Sequence, residues 1–231
     1  GLPGIEDISV STNATQLAGM AVDLKRAGVS RLNVSLDSLR HETVEKINGR
    51  PALDQILAGL EAARVAGFAP IKVNMVVMRE NADEVDDIVA WCMQRGFVLR
   101  LIELMPMGDT ARKMGYVDLQ PIKARLQQRF GLIDTVMNGG GPARYLGTPD
   151  RQFNVGFITP ISQHFCATCN RVRMTVDGVL HLCLGQEDRV DFREMMRAGA
   201  SDAEIRDAIR SAIDMKPERH EFIEAPQKLV R

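Results

Sequence analysis

Three of the four cysteines in the chain lie within the segment HFCATCNRVRMTVDGVLHLCL, residues 164–184. Cys166, Cys169 and Cys183 follow the spacing C-x2-C-x13-C. Thiolates separated by two residues in a turn can bind one metal centre, and the Asp-Gly pair at 177–178 predicts a hairpin that returns Cys183 to the same place. The segment therefore predicts a metal site with three cysteine ligands.

Spacing alone leaves three interpretations of this site open. Structural zinc is the commonest, and it would take His164, His181 or Cys92 as a fourth ligand. An iron–sulfur cluster held by three cysteines would instead keep one iron free to bind a substrate atom. The third interpretation is a group of core cysteines without a metal. Because Cys92 follows the apolar run VAW on a predicted helix, we expect it to be a buried core thiol.

Two arginines separate the second cysteine of this segment from the third. In a strand, Arg171 and Arg173 would project to the same face, where two guanidinium groups suit bidentate contact with phosphate or carboxylate oxygens. A solvated edge strand with basic side chains is the alternative. The neighbouring cysteines favour an anionic ligand held next to the metal.

The elements that position these residues fall into two regions. Up to residue 106, strands at Ile8–Ser11, within Arg31–Leu39, at 71–78 and at Leu99–Met105 alternate with amphipathic helices. This alternation predicts an α/β fold with a parallel sheet, and the early first strand suggests a larger barrel entered partway round. The following pattern predicts a smaller α+β region, so we place the domains at 1–106 and 107–231.

Polar residues mark the strands of the first region. Ser11 and Ser35 lie near strand ends, and Arg100 lies in the fourth strand. Functional sites of parallel barrels are built at the carboxyl ends of their strands. Lys72 lies among apolar residues of the third strand, where a buried ammonium needs an anionic partner. The glycine run NGGGPARYL lacks a phosphate-loop pattern, so we interpret it as a turn.

Overall composition limits the classes of function. The chain has 231 residues, 29 Lys and Arg against 30 Asp and Glu, and a net charge of -1. This balance does not indicate bulk binding to nucleic acid or to a membrane, and an anionic ligand would need a local basic patch. The sequence has no membrane-length apolar run, and its first residues do not resemble a signal peptide. Four cysteines, three of them clustered, favour a reduced, cytoplasmic protein over a disulfide framework.

The chain closely resembles the GTP 3',8-cyclase family of molybdenum cofactor biosynthesis, which belongs to the radical S-adenosylmethionine (SAM) enzymes. The resemblance runs nearly end to end and is carried by HFCATCNRVRMTVDGVLHLCL, VSTNA, RLNVSLDSL, IKVNMVVMRE, LRLIELMPMG and GGGPARYL. It implies an incomplete (βα)6, TIM-like barrel followed by a region with a second 4Fe–4S cluster. It favours iron–sulfur over the zinc-stabilised nucleotide-binding module that we keep as the alternative.

The resemblance also implies roles for individual residues. Cys166, Cys169 and Cys183 match the three ligands of the second cluster, whose free iron binds the guanine ring of GTP. The residues that match GTP-binding positions are Ser11, Lys72, Arg100, Arg171, Val172 and Arg173. Ser35 and Met105 match positions that line the SAM pocket. The implied ligands are GTP and SAM, and we expect a homodimer that binds neither nucleic acid nor membrane.

The implied reaction is radical chemistry. In the family, a first 4Fe–4S cluster cleaves SAM to a 5'-deoxyadenosyl radical, which takes the 3' hydrogen of GTP, and the C3' radical then adds to guanine C8. The C-x3-C-x2-C motif that binds this first cluster is absent from the sequence, as is the family's C-terminal Gly-Gly tail. We therefore expect a truncated enzyme that cannot generate the radical alone, and we assign no catalytic residue.

Overall fold

The computed structural model describes residues 4–107, 111, 113–137, 141–220 and 222. The described residues belong to two compact units, one formed by Gly1–Leu104 with Met114–Ser162 and the other by Met105–Lys113 with Gln163–Arg231. The segment MGDTARKMG and the NGGG turn lie partly outside the described residues, and the terminal PQKLVR lies wholly outside them.

The first unit is built on a seven-stranded sheet with the order β1-β2-β3-β4-β7-β6-β5. Its strands are β1 (Ser9–Thr12), β2 (Arg31–Ser35), β3 (Ile71–Val77), β4 (Val98–Glu103), β5 (Ile133–Thr135), β6 (Arg144–Gly147) and β7 (Asn154–Ile158). Strands β1 to β4 and β7 are parallel neighbours, whereas β6 is antiparallel to both β7 and β5. The α/β class and the parallel sheet that does not close are therefore confirmed.

Helices cover one face of this sheet. They are α1 (Leu17–Arg26), α2 (His41–Asn48), α3 (Leu53–Val65), α4 (Val85–Arg95) and α5 (Leu119–Phe130). The apolar face is fully buried because alternate strand residues such as Val34, Val73, Leu99 and Val155 project into a core that the helices complete. Helices α1 and α3 approach closely at Gly59, which has no side chain to hold them apart.

The second unit contains a three-stranded antiparallel sheet and two helices. Its order is β10-β9-β8, with β8 at Arg173–Met174, β9 at Val179–His181 and β10 at Arg189–Asp191. Helices α6 (Phe192–Arg197) and α7 (Asp202–Asp214) follow, each with an N-cap side chain that accepts hydrogen bonds from the first turn. The core cluster among the described residues is small and consists of Leu180, Leu182, Phe192 and Ala212.

The structure adds elements that the sequence pattern did not predict, namely α2, β5 and β10. It also places β7 beside β4 in the large sheet, although the sequence boundary at 106/107 separated the two. The division into domains 1–106 and 107–231 stays a prediction. Within the described part of the chain, no helix has the length and apolar character needed to cross a bilayer.

Candidate functional site

The first two cysteines flank a tight turn. A short 3-10 helix spans Cys166–Thr168, and the Cys169 amide donates to the Cys166 carbonyl at 3.0 Å. The Thr168 amide donates to the Phe165 carbonyl at 3.2 Å, which closes the preceding residue into the same turn. Both cysteines are half-buried and neither is in a disulfide. The turn therefore presents two free thiols close together in the chain, as the C-x2-C spacing predicted.

The predicted hairpin brings the third cysteine back toward this turn. Strands β8 and β9 pair antiparallel, with Arg173 opposite His181, and Gly178 adopts the left-handed conformation of the connecting turn at φ +86°. The hairpin that the Asp-Gly pair predicted is thus confirmed. Cys183 follows β9, and its Sγ accepts a hydrogen bond from the Gly185 amide at 3.4 Å.

The three thiols lie within electrostatic reach of one another. Burial is the largest influence on Cys183 and raises the pKa of its thiol, while the Gly185 amide and the Lys216 ammonium oppose that rise. The charges of Cys166 and Cys169 add to the rise in the pKa of Cys183. Three thiolates together are therefore costly in this chain without a positive group bound between them.

A single metal ion makes a stricter demand than a cluster. All ligands of a zinc site bind the same ion, with Zn–S distances of about 2.3 Å. In the portion of the chain described, no three Cys, His, Asp or Glu side chains are placed to share one ion. Ligands of a 4Fe–4S cluster bind separate iron atoms, so a cluster does not require its three thiols to meet at one point.

The candidate fourth ligands for zinc have other surroundings. Cys92 is fully buried on α4 in the first unit, as predicted for a core thiol, and burial raises its pKa. His164 is exposed, with its ring centroid 6.0 Å from that of His220. His181 is buried on β9, and its Nδ1 atom has no hydrogen-bond partner among the described residues.

The basic segment after the cysteines is exposed. Arg171, Val172 and Arg173 are all accessible, and the Arg171 guanidinium lies 5.7 Å from the Phe165 ring centroid. Strand β8 begins only at Arg173, and the Arg171 carbonyl accepts a hydrogen bond from the Lys216 ammonium. The expected alternation within one strand therefore does not apply to Arg171. Two guanidinium groups nevertheless remain accessible beside the cysteine turn.

A second group of polar residues crosses the large sheet on the face opposite the apolar core. In register, Ser11 lies beside Asn33, Asn33 beside Lys72, Asn74 beside Arg100, Arg100 beside Gly156 and Gly156 beside Tyr145. We call these residues the polar row. Because side chains alternate between faces along each strand, the row and the apolar core use opposite faces of the same strands.

Arg100 is the best connected member of the polar row. Its Nε donates to Asn74 Oδ1 at 2.7 Å, and its Nη2 donates to Asn33 Oδ1 at 2.6 Å. Burial lowers the pKa of Arg100, and the nearby Tyr145 side chain, within hydrogen-bonding reach, opposes that effect. Tyr145 reaches this position across Gly156, where a Cβ atom would lie 2.7 Å from the tyrosine ring. The guanidinium is therefore held by neutral partners.

Lys72 lies in the same row, and among the described residues no carboxylate forms an ion pair with it. It is 9% exposed, and burial is the largest influence that lowers its pKa. The charges of Arg100 and Arg31 lower the pKa of Lys72 further. Arg31 is paired with Asp7, whereas Lys72 and Arg100 add two positive charges to a partly buried surface. Such a surface favours an anionic ligand.

Ser35 lines a cavity of about 170 Å³ at the carboxyl end of β2. Asn13, Asp37 and Arg50 line the same cavity and supply hydrogen-bonding groups. Burial raises the pKa of Asp37, although its Oδ1 accepts a hydrogen bond from the Val76 amide at 2.8 Å. Met105 belongs to the second unit and is half-buried. The cavity offers a small polar space beside one of the two predicted SAM residues.

Sequence patterns did not single out every member of the polar row. Asn33 was hidden in an ordinary strand, and Tyr145 follows a glycine-rich turn that carries no site signal of its own. The alternation of β2 alone could have identified Asn33, because Arg31, Asn33 and Ser35 share one face. Glu103, a polar residue at the end of β4, accepts hydrogen bonds from the amides of Ile161 and Ser162. Its role is therefore to stabilise the fold.

Comparison with protein families divides the chain into two matches. Residues 2–92 match the radical SAM superfamily, and residues 97–222 match the family described as Molybdenum Cofactor Synthesis C. The first match covers most of the parallel strands. The second covers the cysteine hairpin and the remaining strands of the large sheet.

Curated relatives carry the same combination. The GTP 3',8-cyclase of Ectopseudomonas mendocina is 44% identical over 223 residues, which cover 94% of this chain and 67% of that protein. The GTP 3',8-cyclase of Paracoccus denitrificans is 44% identical over 95% of this chain and 64% of its own length. GTP 3',8-cyclase 1 of Pseudomonas aeruginosa is 43% identical over 96% of this chain and 69% of its own length. The chain thus spans about two thirds of these relatives, and it belongs to the GTP 3',8-cyclase family of radical SAM proteins.

Proposed function

We propose that the protein acts in the conversion of GTP to its 3',8-cyclo-7,8-dihydro form, the first step of molybdenum cofactor biosynthesis. The observation that carries this proposal is the three-cysteine hairpin with two accessible arginines, in a chain 44% identical to named GTP 3',8-cyclases. The relatives supply the reaction class, and the charges of this chain support an anionic substrate.

In the second unit, we assign the 4Fe–4S cluster to Cys166, Cys169 and Cys183. When bound, the cluster supplies an iron atom that no cysteine occupies and that can accept a nitrogen or oxygen atom of guanine. Arg171 and Arg173 would hold phosphate oxygens by bidentate hydrogen bonds, and the Val172 backbone lies between them. The half-buried thiols fit this assignment because the three of them need a positive group to share.

In the first unit, we assign binding of GTP to Ser11, Lys72 and Arg100. Lys72 and Arg100 supply positive charge on the polar face of the sheet, and no carboxylate of the described residues pairs with either of them there. Asn33 and Asn74 orient the guanidinium of Arg100 by accepting its hydrogen bonds. An anion bound at this face would offset the burial and the repulsion that lower the pKa of Lys72.

Binding of SAM is assigned to Ser35 and Met105. The cavity beside Ser35 supports this assignment because it combines open space with the hydroxyl, amide and carboxylate groups of its lining. The 231 residues contain no C-x3-C-x2-C motif. We therefore propose that these residues by themselves bind GTP but do not cleave SAM. Homodimer formation and a cytoplasmic location stay predictions.

The assignment of the cluster is tested by anaerobic reconstitution with iron and sulfide. We expect close to four irons per chain for the unmodified protein and for Cys92→Ala, and a loss of iron for each of Cys166→Ser, Cys169→Ser and Cys183→Ser. Lys72→Met and Arg171→Ala should weaken GTP binding by about 10–100-fold, the effect of losing a charged hydrogen bond. Lys123→Met, which alters a lysine paired with Asp134, should leave GTP binding unchanged.

The same experiment distinguishes the alternative. One zinc per chain without iron, lost on mutation of the three cysteines, would support a zinc-stabilised nucleotide-binding module. Iron that is retained after all three cysteine substitutions would contradict the ligand assignment. Formation of 5'-deoxyadenosine from SAM by the 231-residue chain alone would contradict the proposal that it does not cleave SAM.

A further inference from the structure

Lys216 lies just beyond α7 and reaches both sides of the cysteine site. Its Nζ donates to the Arg171 carbonyl at 3.0 Å and to the Leu182 carbonyl at 2.7 Å. Arg171 follows Cys169 by two positions, and Leu182 immediately precedes Cys183. One ammonium group therefore joins the backbone that carries the first two cysteines to the backbone that carries the third.

The position of Lys216 is fixed by the helix before it. Helix α7 begins at a capping box formed by Ser201 and Glu204, and Ala212 is buried against the core of the second unit. The Lys216 amide donates to the Ile213 carbonyl at 3.1 Å, so the chain is still ordered by the last turn where the side chain departs. The ammonium is thus delivered from a separate element to the hairpin.

The two hydrogen bonds lie just beyond the paired residues of β8 and β9. Strand β8 starts at Arg173 and β9 ends at His181, so Arg171 and Leu182 lie just outside the paired residues. The contact with Leu182 is partly buried, where a carbonyl without a donor costs stability, whereas the contact with Arg171 is exposed. Charge-assisted donors are stronger than neutral ones. Lys216 thereby links the two segments of the hairpin as far as the cysteines.

The charge of Lys216 is held beside the cysteine ligands. Its Nζ is bonded to the carbonyls of Arg171, two residues after Cys169, and Leu182, one residue before Cys183. A fixed positive charge near an anionic metal group favours its more reduced, more negative state. The hydrogen bonds and the charge of Lys216 therefore both favour a metal group bound at the three cysteines.

We infer that Lys216 is a positioning residue of the three-cysteine site. It sets the distance between the segment with Cys166 and Cys169 and the segment with Cys183, and it tunes the reduction potential of the metal group bound between them. This inference rests on the cluster assignment proposed above. Lys216 does not touch the substrate in this role, so its removal should affect the metal group and its backbone before it affects GTP contacts.

The test compares Lys216→Met, Lys216→Gln and Lys216→Arg in the full chain after anaerobic reconstitution. For Lys216→Met we expect iron release to a chelator about tenfold faster than for the unmodified chain, as for other groups that orient metal ligands. The midpoint potential, followed by electron paramagnetic resonance during a redox titration, should become more negative. Lys216→Arg should restore the potential, whereas the uncharged Lys216→Gln should not.

Two controls separate this role from general damage. Lys123→Met removes a lysine of the first unit and should change neither iron release nor potential. Circular dichroism of the metal-free variants should match that of the unmodified chain. Unchanged iron release and potential in Lys216→Met would overturn the inference, and so would equal effects of Lys216→Arg and Lys216→Gln on the potential.

A measurement on the metal-free chain keeps the inference separate from the cluster assignment. In Lys216→Met, the Leu182 amide, which donates to the Asp188 carbonyl at 3.1 Å, should exchange with deuterium about tenfold faster, equivalent to the loss of one hydrogen bond. If the unmodified chain took up no iron through its cysteines, the proposed function would fail while this arm still decided the role of Lys216. Unchanged exchange at Leu182 would overturn the positioning role.

Discussion

The two units of this protein have hydrophobic cores of different size. The first has a continuous core in which strand and helix side chains such as Leu32, Leu60 and Leu101 are almost completely buried. The core cluster of the second, within its described residues, is limited to Leu180, Leu182, Phe192 and Ala212. Small cores leave little net stability after the entropy of folding is subtracted. A bound metal group would therefore add a larger share of the stability of the second unit than of the first.

The largest expected effect that distinguishes the units is the response to the metal group. With the cluster bound, amides of the second unit such as Thr175 and Phe192 should exchange with deuterium at least about 100-fold more slowly than in the metal-free chain, or about 2.7 kcal/mol. Amides of β3 in the first unit should exchange at the same rate in both forms. The measurement is hydrogen–deuterium exchange by mass spectrometry, with the triple cysteine-to-serine variant as control. Equal protection of the second unit with and without metal would remove the difference between the units.

A smaller effect tests the close packing of the first unit. In Gly59→Ala, the new Cβ would clash with the Ala14 carbonyl oxygen and lie 3.1 Å from Leu17 Cβ. We therefore expect the free energy of unfolding to fall by about 2 kcal/mol. Gly19→Ala is the matched control because Gly19 is also helical but faces open space. That variant should gain roughly 0.5–1 kcal/mol from helix propensity alone. Urea unfolding of both variants measures the contrast, and equal effects would show that α1 and α3 do not pack tightly.

The smallest effect depends on pH and also belongs to the first unit. Burial raises the pKa of Asp37 above its unfolded value, so folding is weakened as the pH rises from the unfolded to the folded pKa, and the full effect is present above the folded pKa. Asp37→Asn keeps an oxygen for the Val76 amide and should stabilise the unit by roughly 1 kcal/mol at neutral pH. The gain should shrink as the pH falls through the folded pKa and vanish below the unfolded pKa. Urea titrations across this range, with the exposed Asp23→Asn as control, measure it, and a stability loss at neutral pH would contradict it.

Much of the first unit could be predicted because its signals are local. The β-branched strands Ser9–Thr12 and Ile71–Val77 and the long amphipathic helix Leu53–Val65 each carry a clear periodicity. Helix α2 was missed because it has eight residues and only Val44 is buried. The polar row was only partly predicted, since the neighbours of each residue depend on strand register, which no single strand encodes.

The second unit was predictable in chemistry more than in geometry. Its cysteine spacing and Asp-Gly turn gave the site and the hairpin, but the paired strands proved to be only two and three residues long. Lys216 carries no motif, and its contacts with Arg171 and Leu182 span 45 and 34 positions. Such long-range contacts between a side chain and the backbone leave no periodic trace in a sequence.

The arrangement of the polar row depends on the absence of a Cβ atom at Gly156. Because this strand position has no side chain, the Tyr145 ring can lie over it and approach Arg100. A single methyl group there would act like a wedge, since it would push the ring aside while leaving β4, β6 and β7 paired. The guanidinium would then lose a neighbour without any change in its own residue. The selectivity of this face for its ligand is therefore set partly by an empty space on the adjoining strand.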